Sequence, residues 1–142
     1  MKKIYLIGAL SNPKIPRIAK QIRSLGFDVF DDWISPGPDT DTEWQKYEKI
    51  RGRTYKEALS GHHAQEVFDF DLKHLKSADI AVLVSPCGKS GHLELGWAIG
   101  QGKKGYVLFD GEPNRFDIMY AFCTDIFFHI DELCKELKEE NE

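Results

Sequence analysis

The apolar run DIAVLV at residues 79–84 constrains the fold of this chain most strongly. It is too short for a core helix, and it lacks the alternation of a half-exposed strand. It therefore predicts a strand buried on both faces, as in parallel sheets. Shorter apolar or alternating runs predict four more strands, at residues 3–9, 27–33, 105–111 and 125–130.

Helical patterns separate these runs, and this alternation predicts the architecture. Helices are expected at residues 16–25, 64–76, 93–100 and 116–123, with a C-terminal helix capped by Asp131. Because crossovers between parallel strands are right-handed, we expect a single α/β domain over residues 1–142. The predicted fold is an open parallel five-stranded sheet with helices on both faces, Rossmann/flavodoxin-like.

Residues 34–63 interrupt the alternation. The stretch ISPGPDTDTEW predicts a loop, and residues 44–59 are polar with weak helical periodicity broken at Gly52. Two features of this insertion are each open to two interpretations. Its aromatic residues either stack on a base or pack as a lid, and its cations either meet a phosphate or form a solvated helix face. The aromatic residues are Trp33, Trp44, Tyr47 and Tyr55, and the cations are Lys49, Arg51, Arg53 and Lys56.

Charge and composition exclude several classes of partner. The formal net charge of −4 gives no electrostatic case for binding duplex nucleic acid. No apolar run approaches the roughly 20 residues that span a membrane. Three scattered cysteines form neither a disulfide framework nor a metal motif, and the pair His62-His63 has no second ligand pair. The short apolar N-terminal run lacks a cleavage site, so we expect a cytoplasmic protein.

Ligands of such folds bind beyond the carboxyl ends of the strands. Glu94, within SGHLELGWA, is the sharpest candidate there. The preceding Gly/Ser turn offers backbone amides, and a carboxylate held between Leu93 and Leu95 suits a nucleophile or an acid/base group. We expect both leucines to seat the helix on the sheet. The alternative is a first-turn glutamate favoured by the helix dipole.

Asp71 is the second candidate carboxylate. It shares a helix face with Leu75, four residues on, and is expected to point toward the carboxyl edge of the sheet. Two carboxylates in one pocket permit a division of labour, with one ionised and one protonated. That arrangement suits cleavage of a bond to an anomeric carbon.

Three segments in order resemble the nucleoside 2-deoxyribosyltransferase superfamily, which includes deoxynucleoside 5′-monophosphate N-glycosidases. They are IYLIGAL, FDFDLKHLKSADIAVLV and SGHLELGWAIGQGKKGYVLF. The resemblance implies that Glu94 attacks the anomeric carbon and that Asp71 assists the leaving base, with Tyr5 in the site and Gly8 close to the ligand. It also implies that no metal or organic cofactor is needed. It further implies a homodimer or higher homo-oligomer, in which residues 115–120 complete a neighbour's active site.

The expected activity is cleavage or exchange of the N-glycosidic bond of a (deoxy)nucleoside or its 5′-monophosphate. Ala9 stands where nucleotide-hydrolysing members carry serine, so Ser90 and the turn amides are the alternative phosphate ligands. A non-catalytic nucleotide-binding module and a phosphate-binding α/β domain of other chemistry are the competing interpretations. Further candidate substrate-binding residues are Ser11, Asp32, Trp33, Ser90, Gly91, His92, Asp117 and Tyr120.

Overall fold

The computed structural model describes residues 1–34, 37 and 39–141. The strands are β1 (Lys3–Ile7), β2 (Asp28–Phe30), β3 (Ile80–Val84), β4 (Lys104–Leu108) and β5 (Asp125–Phe127). The α-helices are α1 (Ile15–Arg23), α2 (Thr40–Ile50), α3 (Tyr55–Leu59), α4 (His62–Ser77), α5 (Lys89–Gly100) and α6 (Ile130–Glu140). Short 3-10 helices span Asp32–Ile34 and Ile118–Phe122.

The five strands form one parallel sheet in the order β2-β1-β3-β4-β5. This confirms the predicted fold class. The strand order reverses between β1 and β3, where the connections to their neighbours leave on opposite sides of the sheet. The crevice beyond these two carboxyl ends is the expected ligand position.

Two apolar layers cover the two faces of the sheet. On one face, α1 and α6 bury Ile15, Ile22, Leu133 and Leu137 completely. On the other face, α4 and α5 pack through residues such as Leu95. Each buried aliphatic side chain contributes about 1.5–3 kcal/mol from area burial, and helices on both faces are as predicted. Within the described part of the chain, no helix is both long and apolar enough to cross a membrane.

Helix α5 begins at Lys89, four residues before the predicted start. Gly88 occupies the N-cap position, and the predicted Gly/Ser turn is the first turn of the helix. The interpretation of Gly91 as a turn residue was wrong for a packing reason. A Cβ there would lie 2.1 Å from the Cys87 sulfur and 2.8 Å from Ile7 Cγ2, so glycine allows the helix to approach the sheet closely.

Other boundaries at the C-terminal end also differ. The predicted cap Asp131 lies inside the first turn of α6, while His129 is at the N-cap position without a side-chain cap bond. A first-turn carboxylate is still favoured by the helix dipole. The predicted helix at 116–123 is the shorter 3-10 helix, capped by Asp117, which accepts a hydrogen bond from the Met119 N–H.

The insertion contains more helix than predicted. Helix α2 starts at Thr40, inside the predicted loop, of which residues 35, 36 and 38 lie outside the described residues. The predicted break at Gly52 is confirmed, since this glycine has a φ of +75°. A capping box between Thr54 and Glu57 then starts α3.

Helix α4 is longer than the strands it covers. Sixteen residues span roughly 24 Å, whereas a five-residue strand spans roughly 17 Å. The C-terminal end of α4 precedes β3, so its first turns project beyond the carboxyl edge of the sheet. Val67 and Phe68, in the second turn of α4, are exposed.

Candidate active site

Glu94 lies in the second turn of α5, five residues after Lys89. This position removes the interpretation of Glu94 as a first-turn residue placed by the helix dipole. The neighbouring Leu95 is buried and seats the helix, as predicted. Leu93 is 75% exposed, so its predicted seating role was wrong. Successive helical residues are rotated by about 100°, and Leu93 falls on the side away from the sheet.

Tyr5 holds the Glu94 carboxylate. Its hydroxyl donates a hydrogen bond to Glu94 Oε2 over 2.5 Å. Tyr5 lies at the centre of β1, which pairs with β2 and β3, and its ring is buried. Burial and then the charge of Glu94 raise the pKa of Tyr5, so the phenol keeps its proton and acts as a donor. One carboxylate oxygen is thereby held in place by the most rigid part of the sheet.

Asp71 lies close enough to Glu94 for its charge to act on that carboxyl group. Burial raises the pKa of Glu94 to about 7, the hydrogen bond from Tyr5 opposes this rise, and the charge of Asp71 adds a smaller contribution to it. Burial raises the pKa of Asp71 to about 6. Two carboxyl groups that repel each other titrate as a pair, so the pair holds one proton between about pH 6 and 7. The charge of Asp71 raises the pKa of both Tyr5 and Glu94, so the three side chains lie in the same region of the structure.

Aromatic side chains exclude water beside these carboxyls. The Phe30 ring packs on Tyr5 with centroids 5.0 Å apart, and Phe70 contacts Phe30 edge-on at 5.7 Å. Sequence analysis missed both phenylalanines. The available signals were the alternation of β2, which turns Phe30 toward α4, and the position of Phe70 next to Asp71 in the chain.

Gly8 and Trp33 meet at the carboxyl end of β1. The Trp33 indole donates to the Leu6 carbonyl over 2.6 Å, which fixes the ring over the strand end. A Cβ on Gly8 would lie 2.5 Å from Ile15 Cδ1 and 3.4 Å from Trp33 Cη2, so glycine is required for this close packing.

Three of the predicted substrate-binding residues lie at the surface of the same edge. Ser11 is exposed in the loop after β1, Asp32 is exposed in the 3-10 helix after β2, and Ser90 is exposed in the first turn of α5. The backbone amides of that first turn have no partner within the helix. This part of the edge therefore offers polar groups around the Tyr5–Glu94 pair.

His92, Asp117 and Tyr120 form a separate group. They line an apolar cavity of about 440 Å³ whose lining residues include neither Glu94 nor Asp71. His92 Nε2 and the Tyr120 hydroxyl are 2.8 Å apart, and His92 Nδ1 lies 2.8 Å from the Gly88 carbonyl. Since a carbonyl only accepts, Nδ1 carries the hydrogen and Nε2 accepts from Tyr120. His92 is thus directed to Tyr120 and the apolar cavity.

The Cys87 thiol lies beside the candidate carboxylate without a histidine partner. Burial, followed by the charge of Glu94, raises its pKa, which keeps it protonated near neutral pH. Among residues 1–34, 37 and 39–141, no group of three His, Cys, Asp or Glu side chains is arranged to hold a metal ion.

Comparison with known proteins gives structural matches only. The sequence matches no family model and no curated protein. The structure of the Clostridium botulinum CMP N-glycosidase BcmB matches with a TM-score of 0.57 and 17% identity, over 96% of this chain and 98% of that one. The 2-deoxyribosyltransferase from Bacillus psychrosaccharolyticus matches with a TM-score of 0.61 and 20% identity, over 92% and 89%. The chain therefore shares its α/β fold, along nearly its whole length, with these two solved structures.

Proposed function

We propose that this protein cleaves or exchanges the N-glycosidic bond of a (deoxy)nucleoside or nucleoside 5′-monophosphate through a covalent glycosyl intermediate on Glu94. The observation that carries the proposal is a pair of partly buried carboxyl groups. Glu94 is held by Tyr5, and its pKa is raised by burial and by the charge of Asp71. The fold shared with a CMP N-glycosidase and a 2-deoxyribosyltransferase supports the same class of reaction.

In the first step, the Glu94 oxygen that Tyr5 does not hold attacks C1′ of the sugar. The C1′–N bond breaks, its electron pair leaves with the base, and Asp71 gives its proton to the base. In the second step, water or a second base attacks C1′ from the vacated side and gives a proton to Asp71. Glu94 leaves, and the configuration at C1′ is retained. Neither step requires a metal or an organic cofactor.

At neutral pH the raised pKa of Asp71, about 6, keeps a larger fraction of this carboxyl group protonated than in an ordinary aspartate. Because the pKa of Glu94, about 7, lies higher, the reactive arrangement with Asp71 protonated and Glu94 ionised is the minor singly protonated form, and desolvation makes the ionised Glu94 in it more reactive. The Tyr5 hydrogen bond favours the ionised form of Glu94. It also limits the rotation of the carboxylate, which reduces the entropy lost on reaching the transition state.

The surrounding polar groups suit the sugar and its 5′ substituent. We assign the rim of the site to Gly8, Trp33, Asp32 and Ser11, and the 5′ position to Ser90 with the amides of the first turn of α5. A helix N-terminus favours an anion, which supports the monophosphate as one substrate class. Gly91 allows the close approach of α5 to the sheet. His92, Asp117 and Tyr120 line the separate apolar cavity, and we propose that they reach substrate across a contact between subunits.

A panel of deoxynucleosides, ribonucleosides and their 5′-monophosphates tests the proposal. Each is incubated with the protein, with and without an acceptor base, and free base is followed by chromatography. We expect base release or exchange with the wild type and at least a thousandfold loss with Glu94→Gln. Glu139→Gln, the same change at an exposed position of α6, is the matched control. Binding without turnover across the panel would instead favour the non-catalytic nucleotide-binding module.

We also propose that the protein assembles as a homodimer or larger homo-oligomer. Five large apolar side chains, each 61–81% exposed, either line the apolar cavity beside α5 or lie next to a lining residue in the chain. Large apolar side chains exposed in one region favour a contact surface. The residues are Leu93, Phe116, Ile118, Met119 and Phe122. Light scattering tests this, because a strict monomer with full activity would contradict a shared active site.

A further inference from the structure

The insertion at residues 34–63 is neutral, with five acidic and five basic residues, but its basic residues are concentrated in one segment. Between residues 46 and 56 there are five cations and one carboxylate, a net charge of +4, whereas the whole chain carries −4. These residues occupy the second half of α2, the turn at Gly52 and the start of α3. The exposed part of this segment is called the basic projection here, and it comprises Lys46, Tyr47, Lys49, Ile50, Arg51, Tyr55 and Lys56.

A buried carboxylate gives the basic projection a fixed shape. Glu48 is only 4% exposed, and its two oxygens lie 3.3 Å from Arg51 Nη1 and 3.5 Å from Arg53 Nη1. Lys49 and Lys56 are exposed and form no salt bridge with the residues described. Lys46 Nζ lies 3.7 Å from Glu43 Oε1 with both side chains exposed, so this salt bridge contributes little to stability. The lysines are therefore available to a polyanion.

Two aromatic rings lie among these cations. The side chains of Tyr47 and Tyr55 are 55% and 73% exposed, and the Arg51 guanidinium stacks over Tyr47 with 5.0 Å to the ring centroid. Exposed tyrosines beside cations are the elements of single-strand binding surfaces. In such surfaces bases stack on rings, while lysine and arginine contact the phosphates.

The basic projection lies at the same edge of the sheet as the candidate carboxyls. The chain leaves the sheet at the carboxyl end of β2 and returns through the first turns of α4, which extend beyond that edge. Asp71 follows on α4, and Glu94 lies on α5, which follows β3. The basic projection and both carboxyl groups therefore lie at the same edge of the sheet.

We propose that the basic projection binds single-stranded nucleic acid and that the protein cleaves the N-glycosidic bond of a nucleotide within that strand, which loses the base and keeps its phosphodiester backbone. The stacking element selects single strands, because base faces in a duplex are covered by neighbouring pairs. The overall charge of −4 still argues against a duplex partner, whereas the basic projection is a local surface of opposite charge. The choice of substrate rests on the proposed function, whereas strand binding does not.

Fluorescence anisotropy with the full-length protein tests strand binding. The probes are a labelled 12-nucleotide single-stranded DNA of mixed sequence, the same RNA sequence and the matched duplex, in 50 and 200 mM salt. We expect single strands to bind more tightly than the duplex. Lys49→Glu with Lys56→Glu should weaken binding about tenfold or more and lower the salt slope by about 1.4, at about 0.7 per phosphate contact. Tyr55→Ala should weaken it about fivefold or more through lost stacking.

The matched control is Lys135→Glu with Lys138→Glu, the same charge change on α6. We expect it to change the affinity less than twofold. An equal loss in this control, no binding in 50 mM salt, or equal binding of the duplex or of anionic vesicles would each overturn the proposal. The double variant Lys49→Gln with Lys56→Gln removes the two charges without reversing them. Melting curves of both double variants show whether a loss of binding comes from a folding defect.

Base release separates this inference from the proposed function. The same preparations are assayed on free nucleosides, on monophosphates and on the 12-nucleotide strand. Turnover of free substrates without strand binding refutes the basic projection alone. Strand binding without base release from any substrate refutes the proposed function and the oligonucleotide substrate, while the binding surface stands.

Discussion

Replacing Glu94 with glutamine removes a negative charge that lowers the free energy of unfolding. Burial raises the pKa of Glu94 from an ordinary value of 4.5 to about 7. Between these values the folded protein binds the proton more tightly than the unfolded chain does. The free energy of unfolding therefore falls as pH rises through this window, and the full cost of the charge is reached above pH 7.

The magnitude follows from the pKa difference. Each pKa unit corresponds to 1.36 kcal/mol, so the rise to about 7 amounts to about 3 kcal/mol in alkaline solution. Glutamine keeps the shape and accepts the Tyr5 hydrogen bond through its carbonyl oxygen. The amide N–H groups of glutamine, and the loss of repulsion between Glu94 and Asp71, each change part of this free energy. We therefore expect the free energy of unfolding to rise by about 1–3 kcal/mol at pH 8. For a chain of this size the melting temperature then rises by about 3–9 °C.

Thermal and urea unfolding at pH 8.0 and pH 4.5, followed by circular dichroism, measure this effect. We expect Glu94→Gln to be more stable than the wild type at pH 8.0 and to differ by less than about 0.5 kcal/mol at pH 4.5, where the folded glutamate is protonated. The exposed Glu139→Gln serves as the control for the chemical change. A variant that is less stable at pH 8.0, or that gains equally at both pH values, would refute the placement of a buried, strained carboxylate at this position.

Three further outcomes follow from the same geometry. The pH profile of kcat/KM should be bell-shaped with apparent pKa values near 6 and 7, because the carboxyl pair must hold one proton; a profile flat from pH 5 to 8 contradicts this. Tyr5→Phe removes the hydrogen bond that lowers the pKa of Glu94, so the alkaline limb of this profile, near pH 7, should move to higher pH, and an unchanged limb would show that Tyr5 does not act on Glu94 in the reaction. Asp71→Asn should lower kcat/KM for nucleosides by about 10²–10⁴ but have a much smaller effect on a deoxyriboside with an acidic phenol as leaving group, which needs no proton; equal losses on both substrates would remove the acid role.

The sheet and the pairing of the two carboxyls were predictable from the sequence. The unbroken apolar run at residues 80–84 admits few structures other than a doubly covered strand, and the helical patterns between strands require parallel connections. Asp71 and Glu94 then follow, since each is set by helical spacing from a residue that packs on the sheet. Long periodic elements are predicted reliably because many of their side chains favour the same structure.

Features that depend on single contacts were less predictable. Gly91 carries the same letter whether it ends a turn or lets a helix approach Cys87 and Ile7, so the start of α5 was placed too late. Leu93 is apolar like Leu95, yet only the exact rotation of α5 determines which of them is buried. The exposure of Phe68 depends on the difference in length between α4 and the sheet, which no local pattern contains.

The distribution of charge in the insertion was also not predictable from the sequence. The sequence gives the positions of Lys49 and Lys56, but it does not tell whether Glu48 neutralises them or is buried against Arg51 and Arg53. The second arrangement leaves the lysines open to solvent. A net-charge argument for the whole chain therefore misses a local surface of opposite sign.

Trapping of the reaction intermediate tests the central claim most directly. A turnover mixture containing a substrate from the active class is quenched in acid, digested and analysed by mass spectrometry. If Glu94 is the nucleophile, the peptide that contains Glu94 gains the mass of one glycosyl group, and the Glu94→Gln protein gives no adduct. An adduct on another residue, or base release by Glu94→Gln at the wild-type rate, would contradict the account.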